Sequence, residues 1–415
     1  MLLVMYRIFL GICFFQLFCV QAFSQSKQSF SRITLKHREH KGVGYNEGYS
    51  TLGCFFSPKV SSYATSFFDA RLHVFNDAYL ASNLGAGARF SSRDQKYTVG
   101  LNAYYDYRNY QSLSSHQLAS GLEILSRYID FRLNGYYPFS GLYQDSPFLF
   151  GGFEKHSMLI AQKVLYALPC ADAELGFTLP DPFDQIGLYI GIGSYYLFKQ
   201  QGFNKSVGNT PGGKVRLTAA PMKYLSFGVD YSYDSLFKGR ANGFIALNIP
   251  IGLSQLRKSH KQNHSGKTVL DLQTQDVVRN EIIPVVKKQH YFPHRNQLGN
   301  PLNFVFVNHK KFDTLGPNGG DGTFETPYTT LAAAQESSLP GDYIYVFFGD
   351  GSDRGYDSGF EFKQDQTLVS SAARVLIGHV DLPALTPGHY PLITKSQGAV
   401  VEAVSASNVA MHGFR

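Results

Sequence analysis

The sequence predicts an all-β protein: an N-terminal twelve-stranded outer-membrane β-barrel followed by a partial right-handed parallel β-helix. Three observations point to the barrel. Between Val43 and Gly252 apolar and polar residues alternate with a period of two, the mark of strands with one greasy and one wet face. The alternating runs are about 9–12 residues long. They match the ~9–11 needed to cross a bilayer at a tilt, and exceed the ~5–6 of soluble strands. Tyrosines gather at strand ends, as at Tyr136/Tyr137 and Tyr195/Tyr196, and 20 of the 27 lie in this region, where an interfacial girdle belongs.

Composition agrees. The 415 residues are 15% aromatic without Trp and only 17% charged, which argues against disorder and against a coiled coil. The formal charge is +7.

The elements follow in order. Residues 1–24 combine Arg7, an apolar block from Ile8 to Val20 and small residues at Ala22 and Ser24, the pattern of a cleaved signal peptide. The protein is therefore expected to be exported. Cleavage leaves Cys54 and Cys170, which read as ordinary strand residues or as one bridge. Residues 25–42 are expected to be a periplasmic N-terminal segment.

Residues 43–252 hold the transmembrane β-barrel. One face of 97–107 carries Tyr97, Val99, Leu101, Tyr105 and Tyr107, and one face of 225–234 carries Leu225, Phe227, Val229, Tyr231 and Tyr233. These are assigned to lipid or girdle. The opposite phase is assigned to the lumen: Asn102, Asp106, Asp130, Arg132, Asn134, Asp172, Glu174, Asp230, Asp234, Arg240 and Asn242. Twelve strands leave about 17 residues each for strand and connection. Their expected starts lie near Ser50, Ser66, Leu80, Tyr97, Gln117, Tyr128, Leu149, Ala171, Ile186, Gly213, Leu225 and Gly239. Closure removes the unpaired edges that hydrocarbon does not tolerate.

An even strand count puts both ends of the barrel on one side, the periplasm if the short turns are periplasmic. Residues 253–299 then form a basic linker. It contains Arg257, Lys258, Lys261, Lys267, Arg279, Lys287, Lys288 and Arg295 against Asp271, Asp276 and Glu281. A basic strand suits a partly acidic lumen, and a solvated basic linker suits the same composition. A nucleic-acid role is not supported, since the run lacks aromatic interleaving or a fold signature.

Gly42-Val-Gly-Tyr-Asn-Glu-Gly-Tyr49, Val99-Gly-Leu-Asn-Ala-Tyr-Tyr-Asp-Tyr107, Phe131-Arg-Leu-Asn-Gly-Tyr-Tyr-Pro138 and Val278-Arg-Asn-Glu-Ile-Ile283 resemble the barrel of inverse autotransporters, the intimin/invasin class, over roughly residues 40–290. The resemblance implies a twelve-stranded barrel whose linker threads the pore, exports a downstream passenger and serves adhesion. It also implies outer-membrane lipids, periplasmic chaperones and the barrel-insertion machinery as partners, and a receptor on a host or cell surface. The residues after the linker do not look like the family's usual immunoglobulin-like repeats.

Residues 300–415 instead show short apolar runs at rung-like spacing: 303–307, 342–348, 366–369, 373–377 and 398–403. A helix from Pro327 with Thr326 as its cap is expected. Gly322-Thr-Phe-Glu-Thr-Pro-Tyr-Thr-Thr-Leu-Ala332 resembles the opening of pectin-lyase-like β-helix domains. Residues 407–414 read as the start of another rung, so a truncated passenger is expected.

No enzyme, cofactor or metal site is expected. Asp350, Asp353 and Asp357 read as turn chemistry. His260/His264 and His290/His294 read as solvated linker histidines rather than metal pairs. The function the sequence supports is an outer-membrane translocator that carries its own C-terminal passenger to the surface. The alternative is a passive pore with a periplasmic C-terminal domain.

Overall fold

The computed structural model describes residues 29–58, 60–61, 63–180, 182–202, 205–222, 224–251, 267–317 and 319–415. The signal peptide assigned to 1–24 lies outside them, as do Arg257, Lys258, Lys261, His260 and His264. The chain forms two compact units: residues 1–144 with 165–287, and residues 145–164 with 288–415.

The first unit is a closed twelve-stranded barrel of β1 (Phe30–His40), β2 (Tyr49–Ser57), β3 (Ala64–Phe75), β4 (Leu80–Ser91), β5 (Tyr97–Tyr110), β6 (Leu113–Ser126), β7 (Ile129–Ser140), β11 (Cys170–Thr178), β12 (Tyr189–Leu197), β15 (Thr210–Met222), β16 (Leu225–Asp234) and β17 (Arg240–Ile251). The interruptions are β8 (Tyr143–Asp145), β9 (Leu149–Glu154) and β10 (Ser157–Ala167) after β7, and the small hairpin β13 (Gln200–Gln201) and β14 (Ser206–Val207) after β12. Neighbouring barrel strands run antiparallel, and β1 closes the wall by pairing with β17 from Ser31↔Ile251 to His40↔Asn242.

The barrel is turned inside out relative to a soluble protein. Phe68, Leu84, Leu118, Ile192 and Ile245 point outward and exposed, whereas Arg89 and Asp130 are fully buried. Outward greasy faces with inward charges suit a wall between lipid and a polar interior. Among the described residues no helix is long and apolar enough to cross a membrane; the crossing elements are strands.

Two expected strands differ, and they offset each other in the count. The segment 25–42 is not a separate periplasmic piece: Phe30–His40 is the first barrel strand. Its inward residues Arg32, Thr34, Lys36 and Arg38 are mostly basic, and their acidic partners lie on remote strands or on the linker, which hid its alternation. The strand expected near Leu149 belongs instead to the second unit. Its core run, Met158, Ile160, Ala161 and Val164, is buried with no alternate exposed face for lipid.

The ends of β1 and β17 share one mouth of the barrel with the turns 92–96 and 127–128. The loops 41–48 and 198–209 lie at the opposite mouth. No disulfide joins Cys54 and Cys170.

In the second unit, β19 (Phe304–Val307), β20 (Tyr343–Val346), β22 (Thr367–Ser370) and β26 (Ala410–His412) form a parallel sheet in that order, with Phe304, Tyr343, Thr367 and Ala410 in register. A second parallel pair joins β21 (Phe360–Glu361) to β25 (Val401–Glu402), while β23 (Val375–Ile377) and β24 (Val380–Leu382) form a hairpin. Both faces of the parallel sheet are buried: Val305, Ile344 and Leu368 on one, Phe304, Phe306, Tyr345 and Val369 on the other. A further strand, β18 (Val285–Pro293), pairs with β10. The helix expected from Pro327 is Leu331–Ser337 with Thr330 as N-cap, four residues later than the expected cap at Thr326. Thr326 is occupied elsewhere, bonded with Thr323 and Asp321 in the preceding turn.

Candidate functional site

The barrel lumen is filled by its own chain. Residues 267–285 enter at the mouth where the barrel strands begin and end, where the Lys267 amide reaches the Arg127 carbonyl at 3.5 Å. They leave at the other mouth, where the Val285 amide reaches the Gly44 carbonyl at 3.2 Å.

The entry is a six-residue helix, α1 (Val269–Thr274), started by a capping box: Thr268 accepts from the Asp271 amide, and the Asp271 carboxylate accepts from the Thr268 amide. Its last carbonyls have no helical partner and need donors. Arg89 donates to the carbonyls of Gln273 (3.1 Å) and Gln275 (2.7 Å), and Arg32 to that of Thr274 (3.1 Å). Arg89 is oriented by Glu123 at 2.7 Å and by the Phe67 ring beneath it. Cations at a helix C-terminus are also favoured by its dipole.

Beyond α1 the chain runs to Val285 without regular secondary structure, and the wall continues to take its backbone. Arg71 donates to the Val277 carbonyl (3.0 Å), Asn83 to that of Glu281 (2.8 Å) and Arg108 to that of Ile283. The Asn280 amide donates to the Tyr136 hydroxyl at 2.6 Å. Bonds to backbone groups hold the strand regardless of its side chains.

Side chains fix the register. Arg279 makes a two-pronged pair with Asp106 and lies 4.2 Å from the centre of the Tyr104 ring and 5.4 Å from that of Tyr136. Arg279 and Asp106 are each 1% exposed. Asp106 also accepts from Asn83 (2.8 Å) and Gln117 (2.9 Å), so its carboxylate is fully satisfied. Two residues on, the sign reverses: Glu281 meets Lys36 at 2.6 Å and Arg71 at 2.6 Å. Lys267 pairs with Asp130, and Asp276 with Arg32. The linker is therefore read by a wall of both signs, not by a uniformly acidic one.

At the exit Gly44 has φ of +80°, and a Cβ there would stand 2.3 Å from Pro284 Cα. Only glycine lets the 41–48 loop approach the threaded strand so closely.

Beside the threaded chain a cavity of about 530 Å³ remains. Its lining includes Lys36, Arg38, Asp172, Lys214, Arg216 and Asp230. These too are paired: Lys214 with Asp172 (2.9 Å), Arg216 with Asp230 (2.9 Å), and Arg38 with Asp230.

The assigned lumen residues Asn102, Asp106, Asp130, Arg132, Asn134, Asp172, Glu174, Asp234 and Asn242 are buried inside the barrel, with Asp230 and Arg240 half-buried. They divide by role. Asp106, Asp130 and Asn134 touch the linker. Asp172, Glu174 and Arg132 are wall ion pairs. Asp234 and Arg240 instead shape the 235–239 turn, Asp234 by accepting from the amides of Leu236 and Phe237, Arg240 by donating to the Phe237 carbonyl. Of the lipid-assigned set, Tyr97, Leu101, Tyr105, Phe227, Val229, Tyr231 and Tyr233 are exposed, and Val99, Tyr107 and Leu225 half-covered. Of the basic linker residues within the described chain, Lys267 and Arg279 lie in the lumen, while Lys287 and Lys288 lie on β18. Lys36, Arg71 and Arg89 join the lumen residues beyond those assigned from the sequence, and each falls on the polar phase of its strand. Glu281 stands in the Val278–Ile283 motif, which carries no sign of its partners Lys36 and Arg71.

Among the described residues no cluster of three or more His, Cys, Asp or Glu side chains could hold a metal. Asp350 accepts from the Ser352 amide and hydroxyl, with His309 Nε2 2.8 Å from the same carboxylate, and Asp353 accepts from Thr394. His294 is not a solvated linker histidine: it is buried, its amide donating to the Met158 carbonyl and its Nε2 lying 3.0 Å from that of Ile377. The packing of the second unit around 294 explains the difference.

Residues 21–151 match the family model of the inverse autotransporter β-domain. The match takes in Phe30–His40, outside the stretch from about residue 40 in which the motifs lie. No curated protein matches the chain. Similar solved structures include a chain from a study of the in-meso crystallization of membrane proteins, at 19% identity and TM-score 0.45, covering 62% of this chain and 100% of that one. Another is the β-domain of the Bordetella autotransporter BrkA, at 11% identity and TM-score 0.24, covering 54% and 98%. A third is the translocator domain of the autotransporter NalP from Neisseria meningitidis, at 10% identity and TM-score 0.23, covering 59% and 95%.

Proposed function

We propose that this outer-membrane β-barrel is a translocator for its own C-terminal unit, carried through the lumen to the cell surface and used there for adhesion. The observation that carries this reading is the segment 275–285 running through the barrel from one mouth to the other, held through its carbonyls by Arg89, Arg71, Asn83 and Arg108. Barrel strands begin and end at one mouth, and the chain returns through the lumen to the other. Residues 288–415 follow from that exit. Placing the first mouth in the periplasm makes the second the surface.

A wall that grips the backbone suits a conduit through which different residues must pass. The residues that pair by charge, Arg279 and Glu281, are then a stop that fixes the linker once transport ends. We read the in-register parallel strands β19, β20, β22 and β26 as the first rungs of a right-handed parallel β-helix, the cargo. Folding of that cargo outside supplies a driving force that needs no nucleotide.

The test is a C-terminal epitope tag on intact cells, with and without residues 253–299. Labelling of the full chain and loss of labelling in the deletion supports export. Labelling only after the outer membrane is permeabilised supports the passive pore with a periplasmic C-terminal domain.

A further inference from the structure

The hairpin β9–β10 is encoded in the loop between barrel strands β7 and β11, yet it belongs to the C-terminal unit. We infer that this hairpin is a folding template, a ready-made surface on which the first strands of residues 288–415 assemble.

The hairpin is local, its two strands joined by a tight turn at Lys155 and paired from Ser157↔Glu154 to Ala161↔Leu149. Such structure forms quickly and needs little loop closure. Its flanks are held by barrel strands that end at Ser140 and resume at Cys170, so it is present once the barrel is built. The parallel sheet is the opposite case: each of its short strands buries its faces only against others far along the chain.

Phe153 joins the two. Its ring lies 5.4 Å from Phe304, 4.9 Å from Phe306, 5.1 Å from Tyr345 and 5.6 Å from Phe324, centre to centre. Met158 and Ile160 complete the same buried cluster with Val369 and Ile377. The backbones engage as well. The Phe304 amide donates to the His156 carbonyl (2.8 Å), that of Phe324 to Lys155 (2.9 Å) and that of His294 to Met158 (2.8 Å). The strands that contact the hairpin first, β18 and β19, are also the first to follow the linker. One buried face of β19 is therefore supplied by a piece of protein already in place.

The inference deepens the export reading by saying where cargo folding starts, and rests on it only for the direction of travel. The test uses the full chain in detergent micelles. The C-terminal unit is unfolded in urea and diluted, and its return is followed by short protease pulses; heat-modifiable gel mobility checks that the barrel stays intact. Phe153→Ala and the milder Ile160→Val are compared with Leu368→Ala, which lies on the sheet face away from the hairpin. The hairpin variants are expected to slow refolding, Phe153→Ala by about tenfold, with little change in unfolding, whereas Leu368→Ala speeds unfolding. Should Phe153→Ala yield no protected fragment at all, Ile160→Val supplies the rate. Normal refolding in both hairpin variants, with only faster unfolding, overturns the template and leaves export untouched, since export is read separately by the surface tag.

Discussion

The pair Arg279–Asp106 offers the sharpest test of how the lumen is held shut. Replacing Asp106 by Asn keeps the shape and removes the charge opposite a guanidinium that is 1% exposed. Breaking one side of a buried ion pair costs about 3–5 kcal/mol, because the remaining charge is left uncompensated. At ~1.4 kcal/mol per factor of ten, the population with 275–285 dislodged rises roughly a hundredfold to several thousandfold. Part of the loss is cushioned by the rings of Tyr104 and Tyr136, which still flank Arg279. The assay is conductance of single reconstituted barrels in a planar bilayer. Asp106→Asn is expected to open in frequent events where the parent is closed. Arg279→Met leaves Asp106 its bonds from Asn83 and Gln117 and is expected to open less often. The double variant should fall short of the sum of the two by up to about 3 kcal/mol, the coupling expected of residues in contact. Opening of Asp106→Asn no more frequent than the parent would refute the reasoning, for the pair would then contribute nothing to retention.

Three further outcomes follow from the geometry. Leu101→Lys places a charge on the outer face and is expected to destabilise the barrel by about 2–4 kcal/mol, read as loss of the heat-modifiable folded band, while Asn102→Ser on the inner face leaves that band unchanged. Gly44→Val is strained at its positive φ and collides with Pro284, so the linker exit near 284 should become sensitive to added protease while barrel mobility on gels is retained. Hydrogen bonds from the Ser352 hydroxyl and amide, helped by His309, hold the Asp350 carboxyl down at about 2. A depressed carboxylate contributes stability that is present above its unfolded value near ~3.9 and is lost as pH falls through the folded one. The loop around Asp350 should therefore loosen between about pH 4 and 2, measured as cleavage by pepsin, and Asp350→Asn should remove that dependence.

Much of this was legible in the chain because a strand between lipid and water writes its two faces into alternate residues. Tyr97 to Tyr107 and Leu225 to Asp234 carry that pattern, and it locates eleven of the strands, the faces of the assigned residues and the polar interior. It fails where a strand departs from the two-solvent rule. Phe30–His40 carries three inward bases whose partners are Asp276, Glu281 and Asp230, each at least 190 residues away in sequence. The run through Met158 and Ile160 exposes only Lys163, has no apolar outward face, and only looks like a strand of the wall.

What the sequence determined by itself is the alternation, the strand length and the excess of bases after Gly252, since each is a local response to the medium on either side of the chain. Tertiary structure alone decided that Arg279 faces Asp106, that Glu281 faces Lys36 and Arg71, and that a loop hairpin joins the C-terminal core. Pairing across a closed barrel depends on how strands are staggered around the wall, and a local pattern of period two carries no record of that stagger.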